Sequence, residues 1–382
     1  MNAAPLRRLA LDACTVSGKT RWLFVSLEDA DGRVGWGEAT LQGAETAVAA
    51  ALAGMADAVV RASPERPDAF AASIAPQALA EAAAASAVDQ ALWDLRARQT
   101  GMPLAAALGG ARRDRLPVYA NINRRTLVRT PEGFAASARD ALAAGFRALK
   151  IAPFDEVDPA RCARGEGGTA MRAGLARIAA VRAAAGPAIR LMVDCHWRFD
   201  EATAAALIDA VAGLELHWIE CPLPENAANL GAIARLRSRA NAGGIRLAGM
   251  EQGIGCAAFR PYCEAGAYDV MMPDVKYVGG LAEMLRVAGM LERHGVEMSP
   301  HNPSGPVAHM ASVHVGAVMN GFDMLELQYD ESPLFDALAF GNVPARVAGA
   351  TAVPAAPGLG IGLDGALLAQ HAASARRVWE AT

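Results

Sequence analysis

The chain has 382 residues, a formal net charge of −4 and 53% hydrophobic residues, enough for one large domain and a smaller one around a sizeable core. It has no basic tract and no charge-free apolar run of about 20 residues, so nucleic acid and membrane are not expected as partners. The start lacks an apolar run suited to a signal sequence, and the six cysteines, at 14, 162, 195, 221, 256 and 263, form no CxxC pair. A cytoplasmic protein with reduced thiols is expected, without a disulfide framework or zinc site.

In chain order, residues 23–28 alternate and predict a strand, Asp31-Gly32 is a turn signal, and 34–38 is the return strand of a hairpin. The alanine-rich runs 44–61 and 67–74 predict helices. A stronger helix covers 79–100, with Val88, Ala91, Leu92 and Leu95 on one face and Gly101 and Pro103 as stop signals. Residues 1–116 therefore read as an α+β unit ending in a polar connection.

After Pro117 the pattern changes. Short apolar strands near 118–121, 148–152, 190–194, 217–220, 246–250, 269–272, 296–299 and 324–327 alternate with helical runs such as 131–144, 171–185, 202–212 and 282–294. Eight such units predict an α/β fold, a parallel (β/α)8 barrel over 117–352. The remaining segment, 353–382, opens with the loop 354–363 and ends in a predicted helix, 365–380, that packs back on the first domain.

Three of the strands end in a carboxylate. Leu191-Met192-Val193 leads into Asp194, Trp218-Ile219 into Glu220, and Leu247 to Met250 into Glu251; the carboxylates are 26 and 31 residues apart, one strand-plus-helix unit each. Carboxylates at the ends of neighbouring parallel strands converge, and their repulsion is costly unless a cation lies between them. Asp194, Glu220 and Glu251 therefore read as ligands of one divalent ion, magnesium by preference; the alternative is three unrelated helix-capping acids. The other strand ends add Asn121, Asn123 and Arg124 (first), Lys150 (second), His196 (third), Asp274 with Lys276 (sixth), His301 (seventh) and Glu326 (eighth), all at the face where barrels carry their sites.

The pattern as a whole resembles the enolase superfamily and, within it, the mandelate racemase subgroup. The resemblance rests on Gly35-Trp36-Gly37-Glu38-Ala39, Ala91-Leu92-Trp93-Asp94-Leu95, Gly145 to Lys150, Met272-Pro273-Asp274, Ser299-Pro300-His301-Asn302-Pro303 and Pro357-Gly358-Leu359-Gly360-Ile361, in that order over essentially the whole chain. It implies that the N-terminal region and the C-terminal segment form a capping domain with mobile loops at about 15–22 and after Glu38. It also implies that Asp194, Glu220 and Glu251 hold the metal, that Asp274 and His301 form an aspartate–histidine dyad, and that Glu326 bonds the substrate carboxylate or the developing enolate. Members of the family are commonly oligomers, so a homo-oligomer is expected.

Three departures from the racemase pattern narrow the chemistry. The second strand reads Lys150-Ile151-Ala152 where racemases carry Lys-x-Lys, so their base is missing; the fourth ends Glu220-Cys221-Pro222 instead of Glu-Glu-Pro; and the third reads Asp194-Cys195-His196. The added histidine resembles acid-sugar dehydratases such as galactonate dehydratase, where it helps the β-hydroxyl leave. In an extended chain, residues two apart point the same way, which would turn His196 to the metal pocket.

The expected reaction is magnesium-dependent dehydration of a polyhydroxy carboxylic acid. His301 abstracts the α-proton, Asp274 fixes its tautomer, the metal stabilises the enediolate, and His196 is the general acid, leaving a 2-keto-3-deoxy acid. Lys150 reads as a carboxylate-binding group, as an opposite-face base, or as the partner of Glu220 or Glu326. Asn121, Asn123, Arg124 and Lys276 read as substrate contacts, and Glu326 joins them. The rival reading is a racemase, epimerase or lactone isomerase with Lys150 and His301 on opposite faces; a non-catalytic binding protein is a third.

Overall fold

The structure, a computed structural model, describes residues 4–341 and 343–381. Three antiparallel strands come first, β1 (Leu6–Thr15), β2 (Arg21–Asp29) and β3 (Val34–Glu38). Helices α1 (Glu45–Val60), α2 (Pro67–Ser73) and α3 (Leu79–Gln99) follow. The predicted hairpin is β2–β3, whereas β1 has no counterpart among the predicted elements. β3 lies so close on α3 that only glycine fits: a Cβ at Gly37 would sit 1.8 Å from the Ala87 carbonyl oxygen, and one at Gly35 2.2 Å from that of Ala91. The backbone N–H groups of Trp36 and Glu38 donate to the Asp94 carboxylate (2.9 Å) and the Gln90 side-chain oxygen (3.2 Å) on that helix.

The C-terminal segment departs from expectation. The helix covers only Gly365–Gln370, and Arg377–Glu380 is a strand that pairs antiparallel with β1, from Arg8 opposite Glu380 to Leu11 opposite Arg377. Local alanine content favours a continued helix, but the free edge of β1 offers the last residues a row of backbone partners. The N- and C-terminal parts thus share one four-stranded sheet.

The barrel strands are β4 (Arg115–Asn121), β5 (Ala148–Ile151), β6 (Arg190–Asp194), β7 (Leu216–Glu220), β8 (Arg246–Gly249), β9 (Val270–Met271), β10 (Glu297–Met298) and β11 (Leu325–Gln328). All are parallel in sequence order, and β11 returns to β4. The last gap, between β10 and β11, is spanned by a parallel bridge at Met298 and Phe322 and by the Ser299 hydroxyl donating to the Met324 carbonyl (2.7 Å). Helices between strands start where the sequence says they should: Thr130 and Asp200 cap Pro131–Ala143 and Glu201–Ala210 with their side chains.

The barrel interior explains why polar groups collect at one end. Tyr119, Ala148, Met192, Trp218, Met272 and Met324 belong to one closed apolar cluster inside the barrel. Two residues further along each strand stand Asn121, Lys150, Asp194, Glu220, Asp274 and Glu326. The period of two aims each pair inward, so the apolar member fills the barrel and the polar member faces its mouth.

Candidate active site

Asp194, Glu220 and Glu251 come together as the alternation predicts for the first two: one oxygen from each lies within 4.8 Å of the others, and all three side chains are buried. Among the described residues, the Glu251 Oε2 has no hydrogen-bond partner. An all-oxygen, buried set with an unsatisfied carboxylate oxygen fits a hard divalent cation. Burial pushes the Glu220 carboxyl up to about 8, with neighbouring Asp194, Glu326 and Glu251 adding to the push against Lys150. Glu251 is raised as well, by burial and by Asp194. Burial also acts on Asp194, but the positive charge and hydrogen bond of His196 prevail and hold it at about 2.

His196 reaches this centre by a different route from the one expected. The chain leaves β6 at Asp194, and His196 adopts a left-handed backbone with φ 47°. Its N–H donates to Asp194 Oδ1 (2.9 Å) and its Nε2 lies 2.8 Å from Oδ2. A tight turn, not strand alternation, places the ring. The Asp194 carboxylate raises the imidazole to about 9.

His301 lies on the other flank of Glu251, with Nε2 3.4 Å from Glu251 Oε2 and Nδ1 2.7 Å from Asp274 Oδ2. Burial pulls its pKa down, but Glu251 and Asp274 raise it above the usual histidine value. Asp274 is buried, and Lys276 and His301 hold its carboxyl below the usual range despite that burial. Lys276, expected at the substrate, is itself buried and directs its ammonium to Asp274 Oδ2 (2.6 Å) and the Ser304 hydroxyl.

Lys150 is pinned between two carboxylates, 2.7 Å from Glu220 Oε1 and 2.9 Å from Glu326 Oε1. Burial disfavours its charge, but Glu220 and Glu326 together hold the ammonium protonated well above its ordinary value. Glu326 also accepts from the Asn121 amide (2.7 Å) and from the Asn302 N–H (2.9 Å). Asn123 is held by Arg129, whose guanidinium donates to its side-chain oxygen (2.6 Å). Arg124 donates to Glu331 (3.1 Å), Thr20 (3.3 Å) and Gln42 (3.3 Å), tying the barrel to both loops of the first domain.

Lys150, Asp194, His196, Glu251 and His301, with Asn121, Asn123 and Arg124, line a cavity of about 1110 Å³ that residues 17–20 and 40–42 also border. Two residues went unread in the sequence. Glu331 accepts from Ser17 (3.1 Å) and Thr20 and so anchors the roof; its place three residues past the end of β11 was the available signal. Glu225, on the loop after β7, accepts from the Met250 N–H (2.5 Å) and the Tyr268 hydroxyl (2.9 Å), and burial pushes it up to about 7.

An eight-stranded parallel barrel with a buried acidic triad at its mouth, roofed by an α+β domain, defines a class of acid-handling barrel enzymes. The comparisons place the chain within it. The family descriptions "Mandelate racemase / muconate lactonizing enzyme, N-terminal domain" and "Enolase C-terminal domain-like" match residues 3–109 and 133–367. The chain belongs to the enolase superfamily, in its mandelate racemase group. A D-galactonate dehydratase of Ralstonia nicotianae is 30% identical over 365 residues, 93% of this chain and 92% of that protein. A D-gluconate dehydratase of Thermoproteus tenax is 32% identical over 297 residues, 76% of this chain and 56% of that one. Among solved structures, a mandelate racemase/muconate lactonizing enzyme-like protein from Roseovarius is 28% identical with a TM-score of 0.84, over 96% of this chain and 95% of that one.

Proposed function

We propose that this enzyme is a magnesium-dependent dehydratase of a polyhydroxy (sugar) acid, forming a 2-keto-3-deoxy acid. The observation that carries the reading is the pair of histidines, His301 on Asp274 and His196 on Asp194, set around one acidic triad. Kinship with the galactonate and gluconate dehydratases supports it.

Asp194, Glu220 and Glu251 would hold the ion. When bound, a divalent ion supplies Lewis acidity to the substrate carboxylate, where negative charge develops as the α-proton leaves. Asp274 fixes Nδ1 of His301, leaving Nε2 to take that proton. Lys276 keeps Asp274 charged and in place. His196, its ring held beside the metal site by Asp194, is the group placed to donate a proton to the departing β-hydroxyl. Lys150 is a fixed positive charge between Glu220 and Glu326, which lowers the cost of confining so many carboxylates. Asn121, Asn123 and Arg124 shape the wall that receives the substrate hydroxyls, and Glu326 stands behind them.

The racemase or isomerase reading needs Lys150 as a neutral base, and an ammonium held by two carboxylates opposes it. His196→Asn separates the two chemistries. It is expected to keep α-proton exchange with D2O while 2-keto acid formation falls at least about 100-fold. Keto acid formed at the parent rate would remove His196 from the acid role.

A further inference from the structure

Glu251 does not reach the triad in the way Asp194 and Glu220 do. Those two stand two residues past the inward-facing Met192 and Trp218, in phase with their strands. On β8 the inward-facing residue is Ala248, so strand phase would aim residue 250 into the mouth. Instead the Met250 side chain packs in the cluster outside the barrel, and it is the carboxylate of residue 251 that joins the triad. The shift of one residue occurs at Met250, which has a left-handed backbone with φ 72°. A non-glycine side chain adopts that conformation only where its surroundings hold it there.

The holding contacts are visible. Glu225 Oε1 accepts from the Met250 N–H (2.5 Å) and from the Tyr268 hydroxyl (2.9 Å), with the Cys221 thiol 3.9 Å away on the same oxygen. Tyr268 is buried. Both groups close on the backbone at Gly249, where a Cβ would meet Glu225 Oε1 at 2.4 Å and the Tyr268 ring at 2.5 Å. Cys221 directly follows Glu220, and its N–H donates to the Ala248 carbonyl (2.9 Å). The same carboxylate therefore joins the loop after one triad member to the turn before another.

We infer that Glu225 is a positioning residue: with Tyr268 it locks the left-handed turn at Met250 and thereby aims the Glu251 carboxylate at the metal site. The inference rests on the reading of Asp194, Glu220 and Glu251 as the ligands. It assigns Glu225 no contact with substrate. It also accounts for Cys221, where the related pattern has a second glutamate: a thiol can donate to Glu225, and a carboxylate there would repel it.

The test is titration of the metal-free protein with Mg2+ by calorimetry, with the thermal midpoint of the metal-free form recorded alongside. Glu225→Ala is expected to weaken Mg2+ binding by about 10–100-fold, the range for residues that orient ligands, and Glu225→Gln, which keeps an acceptor oxygen, to stay within about threefold of the parent. Parent-like affinity in folded Glu225→Ala overturns the inference, as does a loss in Glu225→Gln equal to that in the alanine variant. Should Glu225→Ala not fold, Tyr268→Phe decides: Mg2+ binding weakened by about threefold or more, with an unchanged metal-free thermal midpoint, supports the lock, and parent affinity overturns it. Glu251→Gln separates the two levels. Parent affinity in that variant removes the metal reading and the lock together, whereas lost affinity there beside parent affinity in Glu225→Ala removes the lock alone.

Discussion

At the scale of single residues, the site depends on charges holding one another in place. His301 is fixed from behind by Asp274, and Asp274 by Lys276. His301→Asn is expected to lower turnover by about 1000-fold or more while Mg2+ affinity stays within a few-fold of the parent, read by steady-state rates and calorimetry. Turnover within tenfold of the parent would contradict the base role. Lys276→Met leaves Asp274 buried without its cation, and should lower kcat with little change in KM. Candidate residues could be read from the sequence because they stand at strand ends: Asn121, Lys150, Asp194, Glu220, Asp274 and Glu326 keep the strand phase, whereas His196 and Glu251 are aimed by turns. Some pairings could be read as well, Lys150 with Glu220 or Glu326 and His301 with Asp274. That of Lys276 could not: it reads as a substrate contact, and the structure buries it against Asp274 and Ser304. Such partners are set by tertiary packing, to which local pattern is blind.

At the scale of elements, the hairpin on α3 is the tightest joint in the roof. Gly37→Ala puts a methyl 1.8 Å from the Ala87 carbonyl oxygen, and neither backbone can yield without separating β3 from the helix. The expected cost is about 3 kcal/mol, read as a lower thermal midpoint. Glu38 on the same strand accepts from the Gly305 (2.7 Å) and Ala308 (2.9 Å) N–H groups beside the dyad, so KM should rise as well. A parent midpoint would contradict the close approach. The sequence made the hairpin readable through the Asp31-Gly32 turn, but not its seat on α3. It hid β1 and the terminal strand Arg377–Glu380, because their pairing joins the two ends of the chain and leaves no local signal. The turns at His196 and Met250 were hidden for a similar reason: a left-handed histidine or methionine is specified by its neighbours, not by its own preference.

At the scale of the whole molecule, buried histidines away from the site set a limit on acid stability. Burial pushes His314 down to about 4 and His309 down to about 3. The unfolded chain takes up protons at these side chains below about pH 6.5, while the folded chain refuses them until the lower values are reached. Stability is therefore full above about pH 6.5 and falls as the pH drops toward 4. His314 Nδ1 accepts from the Ala105 N–H (3.2 Å), an acceptor role that glutamine can take over. His314→Gln is expected to flatten the fall in unfolding free energy between pH 6 and 4.5 by up to about 1.4 kcal/mol per pH unit, measured by denaturant titration. An unchanged slope would contradict the neutral buried state. The barrel and its roof were legible from eight short apolar runs and one glycine-bearing hairpin. The cavity was not, because its shape depends on where Thr20 and Gln42 meet Arg124 and Glu331 across two domains.

In the proposed reaction the acidic triad and the two histidines together remove water from a sugar acid. The most direct measurement is to incubate the protein with aldonic and aldaric acids in D2O, with magnesium and with chelator, following both 2-keto acid and α-deuterium by mass. A 2-keto-3-deoxy acid is expected from at least one member of the set, formed with magnesium and abolished by chelator. Magnesium-dependent α-deuteration with no loss of water from any acid would contradict it, and would return the site to racemase or epimerase chemistry.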